Sequence, residues 1–146
     1  MAIRDSYHNN LGTLLLSPQT LSADTNTTGV SIAAVKELEI AALVGTCGNA
    51  TLHSTIYISL ELEESADNVT YTDVAEADML GAVSGTTTGQ FAKIDAKTKD
   101  DTAYACGYRG NKKYVRAVVN FVGSHGTGTP IGIASLGSRG RHNPLV

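Results

Sequence analysis

Gly107-Tyr108-Arg109-Gly110-Asn111-Lys112-Lys113-Tyr114-Val115-Arg116-Ala117-Val118-Val119-Asn120-Phe121-Val122 is the stretch whose reading decides the fold. From Tyr114 it alternates with period two, Val115, Ala117, Val119 and Phe121 on one face and Arg116, Val118, Asn120 and Val122 on the other. It reads as a central strand. The valines on both faces predict that the second face is also covered in part, by a neighbouring subunit or another layer, since a solvated face is ordinarily more polar. Gly110-Asn111 ahead of it reads as a tight hairpin turn, the two residues supplying the positive φ angles such turns need.

The other segments fit the same class. Ser54 to Glu63 alternates, with Ile56, Ile58, Leu60 and Leu62 on one side. Val30 to Val44 fits either a helical stripe through Ile32, Val35, Leu38, Ala42 and Leu43 or an alternating strand over residues 38–44, and the strand is preferred. Short strands are read at Val69–Val74, Phe91–Ile94, Thr102–Tyr108 and Ile131–Leu136. An acidic turn at Glu63–Asn68, one helical turn or loop at Ala75–Leu80, a loop at Gly81–Gly89, a charged turn at Asp95–Asp101 and a hairpin connection at Gly123–Pro130 separate them. Many short strands with Gly, Ser, Thr and Asn turns predict an all-β chain, an antiparallel β-sandwich of plain or jelly-roll topology. Its core is expected to hold Ile56, Ile58, Leu60, Val115, Ala117, Val119, Phe121 and Ile133.

The 146 residues suit one domain. The reading divides them into an N-terminal arm (1–29), the sandwich (30–136) and a C-terminal tail (137–146). The arm is polar apart from Leu11, Leu14, Leu15, Leu16 and Leu21. It is expected to order by packing on its own core or on a neighbour. Leu14-Leu15-Leu16 is too short for a membrane span or a signal-peptide apolar region, so no membrane contact and synthesis in the cytoplasm are expected. Cys47 and Cys106 lack metal-ligand or Cys-x-x-Cys spacing and read as two buried thiols.

Charge is divided along the chain. Residues 1–101 hold all 14 acids and five bases, whereas residues 102–146 hold six bases and no acid. Arg109, Lys112, Lys113, Arg116, Arg139 and Arg141 therefore read either as a surface docking an acidic partner or as solvated strand ends that balance the acidic half. The patch is too small, and the net charge of −3 too far from basic, to point to nucleic acid.

No catalytic constellation emerges, and no cofactor is expected. His8, His53, His125 and His142 lack ligand spacing. The carboxylates Glu63, Glu64, Asp67 and Asp73 lack the spacing and central glycine of a calcium loop. The glycines of 123–128 lack a P-loop ending and open no helix.

Two of these stretches carry a resemblance. The run from Gly107 to Arg116 resembles a Gly-Tyr-x-Gly-x-Lys-Arg-Tyr-x-Arg pattern of small structural proteins of tailed bacteriophages. Leu62 to Val74 is similar to the acidic Glu-Ser-x-Asp turn followed by aromatic-Thr-Asp-Val in the same proteins. The likeness covers roughly residues 25 to 144 and departs at Lys113, where Arg is usual, and at Ala66, where an acid is usual. It implies a virion setting and no catalytic residue. The expected function is a capsid decoration or cement protein on the phage head surface, bound to the major capsid protein and self-associated as a dimer or trimer. The contacts are assigned to the arm with Leu14, Leu15 and Leu16, to the cationic residues above, and to the tail with Arg139 and Arg141 as charge anchors. A head–tail joining or tail component is the alternative. A glycan-binding module for host attachment is the alternative of another class, and it requires exposed aromatic platforms.

Overall fold

The computed structural model describes residues 10–83 and 87–138. Among the described residues eleven strands form two sheets. The first holds β1 (Asn10–Leu21), β11 (Thr129–Ser138), β4 (Glu37–Val44), β9 (Thr102–Tyr108) and β7 (Met79–Leu80), side by side in that order. The second holds β2 (Thr25–Asn26), β10 (Tyr114–Val122), β5 (Tyr57–Ser65) and β6 (Thr72–Asp73) in that order. There β3 (Val30–Ser31) also pairs with β10, and β8 (Gln90–Ile94) with β5. Every pairing is antiparallel.

Leaving aside β3, β6 and β7, eight principal strands remain, and they pair first with last (β1 with β11), second with seventh (β2 with β10), third with sixth (β4 with β9) and fourth with fifth (β5 with β8). This is jelly-roll winding. It overturns both hairpin readings. β9 and β10 lie in different sheets, as do β10 and β11, so residues 109–113 and 123–128 cross between sheets. Neither Gly110 nor Asn111 has positive φ. Gly110 is needed for another reason: a Cβ there would run into the ring of Tyr108.

Period-two alternation sets the core. β4 turns Leu38, Ile40, Ala42 and Val44 inward, β5 turns Ile58, Leu60 and Leu62 inward, and β10 turns Val115, Ala117 and Val119 inward. Each large aliphatic chain fully buried there contributes about 1.5–3 kcal/mol relative to exposure. β5 and β10 pair over nine residues, from Tyr114 opposite Ser65 to Val122 opposite Tyr57, and this ladder is the spine of the second sheet. Ile133 joins the core from β11. Ile56 and Phe121 are half-buried, since Ile56 precedes β5 in an isolated bridge with His53 and Phe121 lies near the open end of β10.

Residues 10–21 of the arm are the edge strand of the first sheet. β1 follows β11 from Asn10 opposite Ser138 to Leu21 opposite Thr129. Leu14 stands opposite Ala134 and Leu16 opposite Ile133, which leaves Leu15 as the extra residue of a bulge. The bulge lets two consecutive leucines, Leu15 and Leu16, bury themselves. β11 runs two residues into the stretch read as tail, through Gly137 and Ser138.

Candidate interaction surfaces

The site residues read from the sequence fall into separate places. Leu15 and Leu16 belong to the core, whereas Leu14 is exposed. Arg109, Lys112 and Lys113 lie on the crossing from β9 to β10. The Arg109 backbone N–H donates to the Asp78 carbonyl at 3.0 Å and its Nε to the Ala77 carbonyl at 3.1 Å, which pins the arginine to the short 3-10 turn Glu76–Asp78. The Lys112 backbone N–H donates to the Tyr108 hydroxyl, and the Lys113 carbonyl accepts from the Ile32 N–H. Among the described residues, none of these three cations forms an ion pair. Arg139 and Arg141 lie outside the described residues.

Arg116 is different. It projects from the outer face of the second sheet, 2.6 Å from the Glu63 carboxylate directly opposite on β5, and its guanidinium sits 4.0 Å over the Tyr71 ring. Its charge is spent within the chain. Polar side chains beside it are hydrogen-bonded to one another. Ser59 donates to Glu61 at 2.5 Å, Asn120 donates to Glu61 at 2.8 Å, and the Gln90 amide donates to Ser59. On this face Val118 is buried within the single chain, whereas Val122 is exposed. Of the tyrosines in it, Tyr57 carries Lys93 over its ring at 4.2 Å and Tyr71 carries Arg116. Those two rings already hold cation partners instead of standing open as sugar platforms.

The outer face of the first sheet has the opposite character. Its exposed side chains include Leu14 (60%), Leu43 (61%), Leu80 (54%) and Leu136 (45%), a proportion of open leucine that a solvated sheet face does not ordinarily carry. Between them the floor is small. One row across the sheet reads Leu14, Ala134, Ala41, Ala105, and the next reads Gly12, Leu136, Glu39, Gly107, Leu80. A groove of about 800 Å³ runs over one end of this face, where Lys36, Glu37 and Arg109 ring it. Leu43, Leu80 and Leu136 were missed in the sequence. The signal for them was available, because Ala41, Leu43, Ala103 and Ala105 make β4 and β9 apolar on both faces, as the valines do in β10.

No catalytic grouping assembles among the described residues. His53 bonds locally with Thr55, and His125 stands edge-on to Phe121 with its Nε2 against the Tyr57 and Val122 carbonyls. No group of three His, Cys, Asp or Glu side chains capable of holding a metal forms among the described residues. Both cysteines are free and buried. Burial pushes the Cys106 thiol up to about 11 and raises that of Cys47 as well. Among the described residues no helix is long and apolar enough to cross a membrane.

No protein-family model matches the chain, and no curated protein matches it. The structure is similar to that of the SPBc2 prophage-derived protein YomS, with a TM-score of 0.46 and 10% sequence identity over 88% of this chain and 93% of that one. It is also similar to the structure of infectious bursal disease virus Gx strain, with a TM-score of 0.27 and 12% identity over 90% of this chain and 32% of that one.

Proposed function

We propose that this protein is a structural component of a tailed-phage virion, and within it a decoration protein that binds the major capsid protein lattice on the outside of the head. The phage-like patterns at Gly107–Arg116 and Leu62–Val74 supply the virion setting. The observation that carries the docking role is the crossing from β9 to β10. It presents Arg109, Lys112 and Lys113 together, with no ion pair among the described residues and with its backbone held by Asp78, Tyr108 and Ile32. A cationic segment on a fixed backbone meets an acidic surface at low ordering cost. Arg139 and Arg141 extend the same cationic third of the chain. Repeated over a symmetric shell, such contacts acquire avidity without any chemistry.

The test is occupancy on the shell. Purified virions should hold the protein in hundreds of copies by quantitative mass spectrometry against the major capsid protein, and the double charge reversal Lys112→Glu, Lys113→Glu should strip most of it. About a dozen copies would transfer it to the head–tail junction or tail. Full occupancy by the reversed variant would overturn the docking role of the crossing.

A further inference from the structure

β9 is open along part of one edge. The Gly45 N–H donates to the Pro130 carbonyl on β11, so alternation along β4 sends the backbone groups of Val44, Ala42 and Ile40 to β9. Thr102, Tyr104 and Cys106 meet them there, and the intervening Ala103 and Ala105 point their N–H and C=O groups away from β4. The same parity holds at Arg109, whose N–H faces that outer side and reaches the Asp78 carbonyl. Short β7 covers this edge only at Gly107 and Tyr108. Gly81, with φ of +96°, then turns the chain off it, and the next backbone bond of that segment, from the Val83 N–H to the Gln90 carbonyl, already reaches β8 in the second sheet. Ala103 and Ala105 are thus left without outward backbone partners among the described residues, and both side chains are exposed.

Open edges are ordinarily guarded by proline, charge or a bulge. The opposite edge of this sheet is guarded twice, by Pro18 and by the bulge at Leu15 of β1. Thr102–Ala105 has none of these guards and keeps an unbroken register with β4. Such an edge is complementary to another extended backbone. A second copy's β9 does not fit it. The two-fold register that sets Ala103 against position 105 of the copy puts position 102 of the copy opposite Cys106, where Gly81 already lies, the site of its Cβ 3.9 Å from the Cys106 Cα. The lane from Gly81 to the start of β9 is about 13 Å long, so it suits a short segment. Its surroundings on the outer face are uncharged, with Leu43 across from Ala103 and Ala41 across from Ala105. β9 also runs directly on into the cationic crossing, which makes the edge and the crossing neighbouring parts of one contact.

We propose that the edge of β9 over Thr102–Ala105 takes up a short, uncharged, extended segment of the shell protein as an added strand of the first sheet. The source of that segment rests on the virion reading above, whereas the strand addition rests on the edge itself.

Hydrogen exchange read residue by residue tests it. In the free protein the Ala103 and Ala105 amides should exchange freely while those of Tyr104 and Cys106 are held by β4. On phage heads assembled without the protein and then loaded with the purified full chain, all four should be protected. Ala105→Pro removes one outward N–H and leaves the β4 ladder whole, so it should keep the fold in circular dichroism and bind the heads about tenfold or more weaker. Leu136→Lys, on the same sheet face but away from this edge, should bind as the wild type does. Should Ala105→Pro not fold, the exchange of the wild type decides alone. Heads that load normally while Ala103 and Ala105 still exchange freely overturn this proposal and leave the virion reading standing. A chain that loads on no heads overturns the virion reading and the shell as source. Protection of both amides in the free protein, with a dimer in sedimentation equilibrium, gives the edge to a second copy and overturns the proposal as well.

Discussion

The Tyr108 hydroxyl donates a 2.7 Å hydrogen bond to the Glu64 carboxylate and thereby ties the last residue of β9, in the first sheet, to β5, in the second. The same oxygen accepts the Lys112 backbone N–H at 3.0 Å, so one side chain closes the end of the sandwich and shapes the cationic crossing. Tyr108→Phe should cost about 1.5–3 kcal/mol in urea denaturation, the range for a hydrogen bond to a charged group. Burial and the Glu64 carboxylate hold the phenol well above the ordinary tyrosine range. A raised folded value means stability present in full below the unfolded pKa of about 10 and lost as pH rises through the folded one. The gap between wild type and Tyr108→Phe should therefore narrow in strongly alkaline solution; a constant gap would exclude the linkage.

Asp73 sits opposite Glu63 on the outer face of the second sheet, and desolvation together with the Glu63 charge raises its pKa. A carboxyl with a raised folded pKa favours the fold when protonated and works against it as pH climbs above the ordinary carboxylate range. Asp73→Asn should accordingly raise the melting temperature slightly at neutral pH, and that gain should vanish in acid. Arg116→Ala, which removes the Glu63 ion pair and the stacking on Tyr71, should cost about 0.5–1 kcal/mol.

Gly89 has φ of +80°, and a Cβ there would lie 2.6 Å from the Leu62 carbonyl oxygen. That residue's backbone is committed, since the Leu62 N–H donates to the Gly89 carbonyl at 2.8 Å. Gly89→Ala should destabilise the protein by about 1–3 kcal/mol through backbone strain, seen as a lower urea midpoint with an unchanged slope.

Leu14, Leu15 and Leu16 should part company under mutation. Leu16→Ala removes a core side chain and should cost about 2–5 kcal/mol, whereas Leu14→Ala should stay within about 0.5 kcal/mol. Equal losses in thermal melts would mean that the bulge in β1 is misplaced.

Cys47 and Cys106 are buried with raised thiol pKa values, so little thiolate exists at neutral pH. A thiol reagent should label neither in the native protein and both after denaturation.

Much of the architecture was legible because it is local. Tyr114–Val122 and Thr102–Tyr108 appear as strands at the bounds read from their residues, and Glu37–Val44 and Tyr57–Ser65 within a few residues of them. Val69–Val74 shrinks to Thr72–Asp73, because the Asp67 carboxylate captures the Val69 and Thr70 N–H groups that a longer strand would need. Gly110-Asn111 carries hairpin chemistry, yet the flanking strands belong to different sheets and the glycine answers to the Tyr108 ring. The cationic cluster was visible in composition. That Arg116 leaves it for Glu63 was not, because the two residues meet only across the β5–β10 ladder.

By itself the sequence determined the class of structure, the strands β4, β5, β8, β9, β10 and β11, and the inward side chains Ile58 and Leu60 of β5 and Val115, Ala117 and Val119 of β10, since period-two alternation is written in consecutive residues. Only the tertiary structure decided the winding, the strand role of residues 10–21 and the gathering of Leu14, Leu80 and Leu136 on one face of the first sheet. Those features depend on partners far apart in the chain, such as Leu14 with Ala134 and Glu39 with Gly107. The energy that selects such pairs resides in contacts between sheets and strands, and no local pattern of residues encodes it.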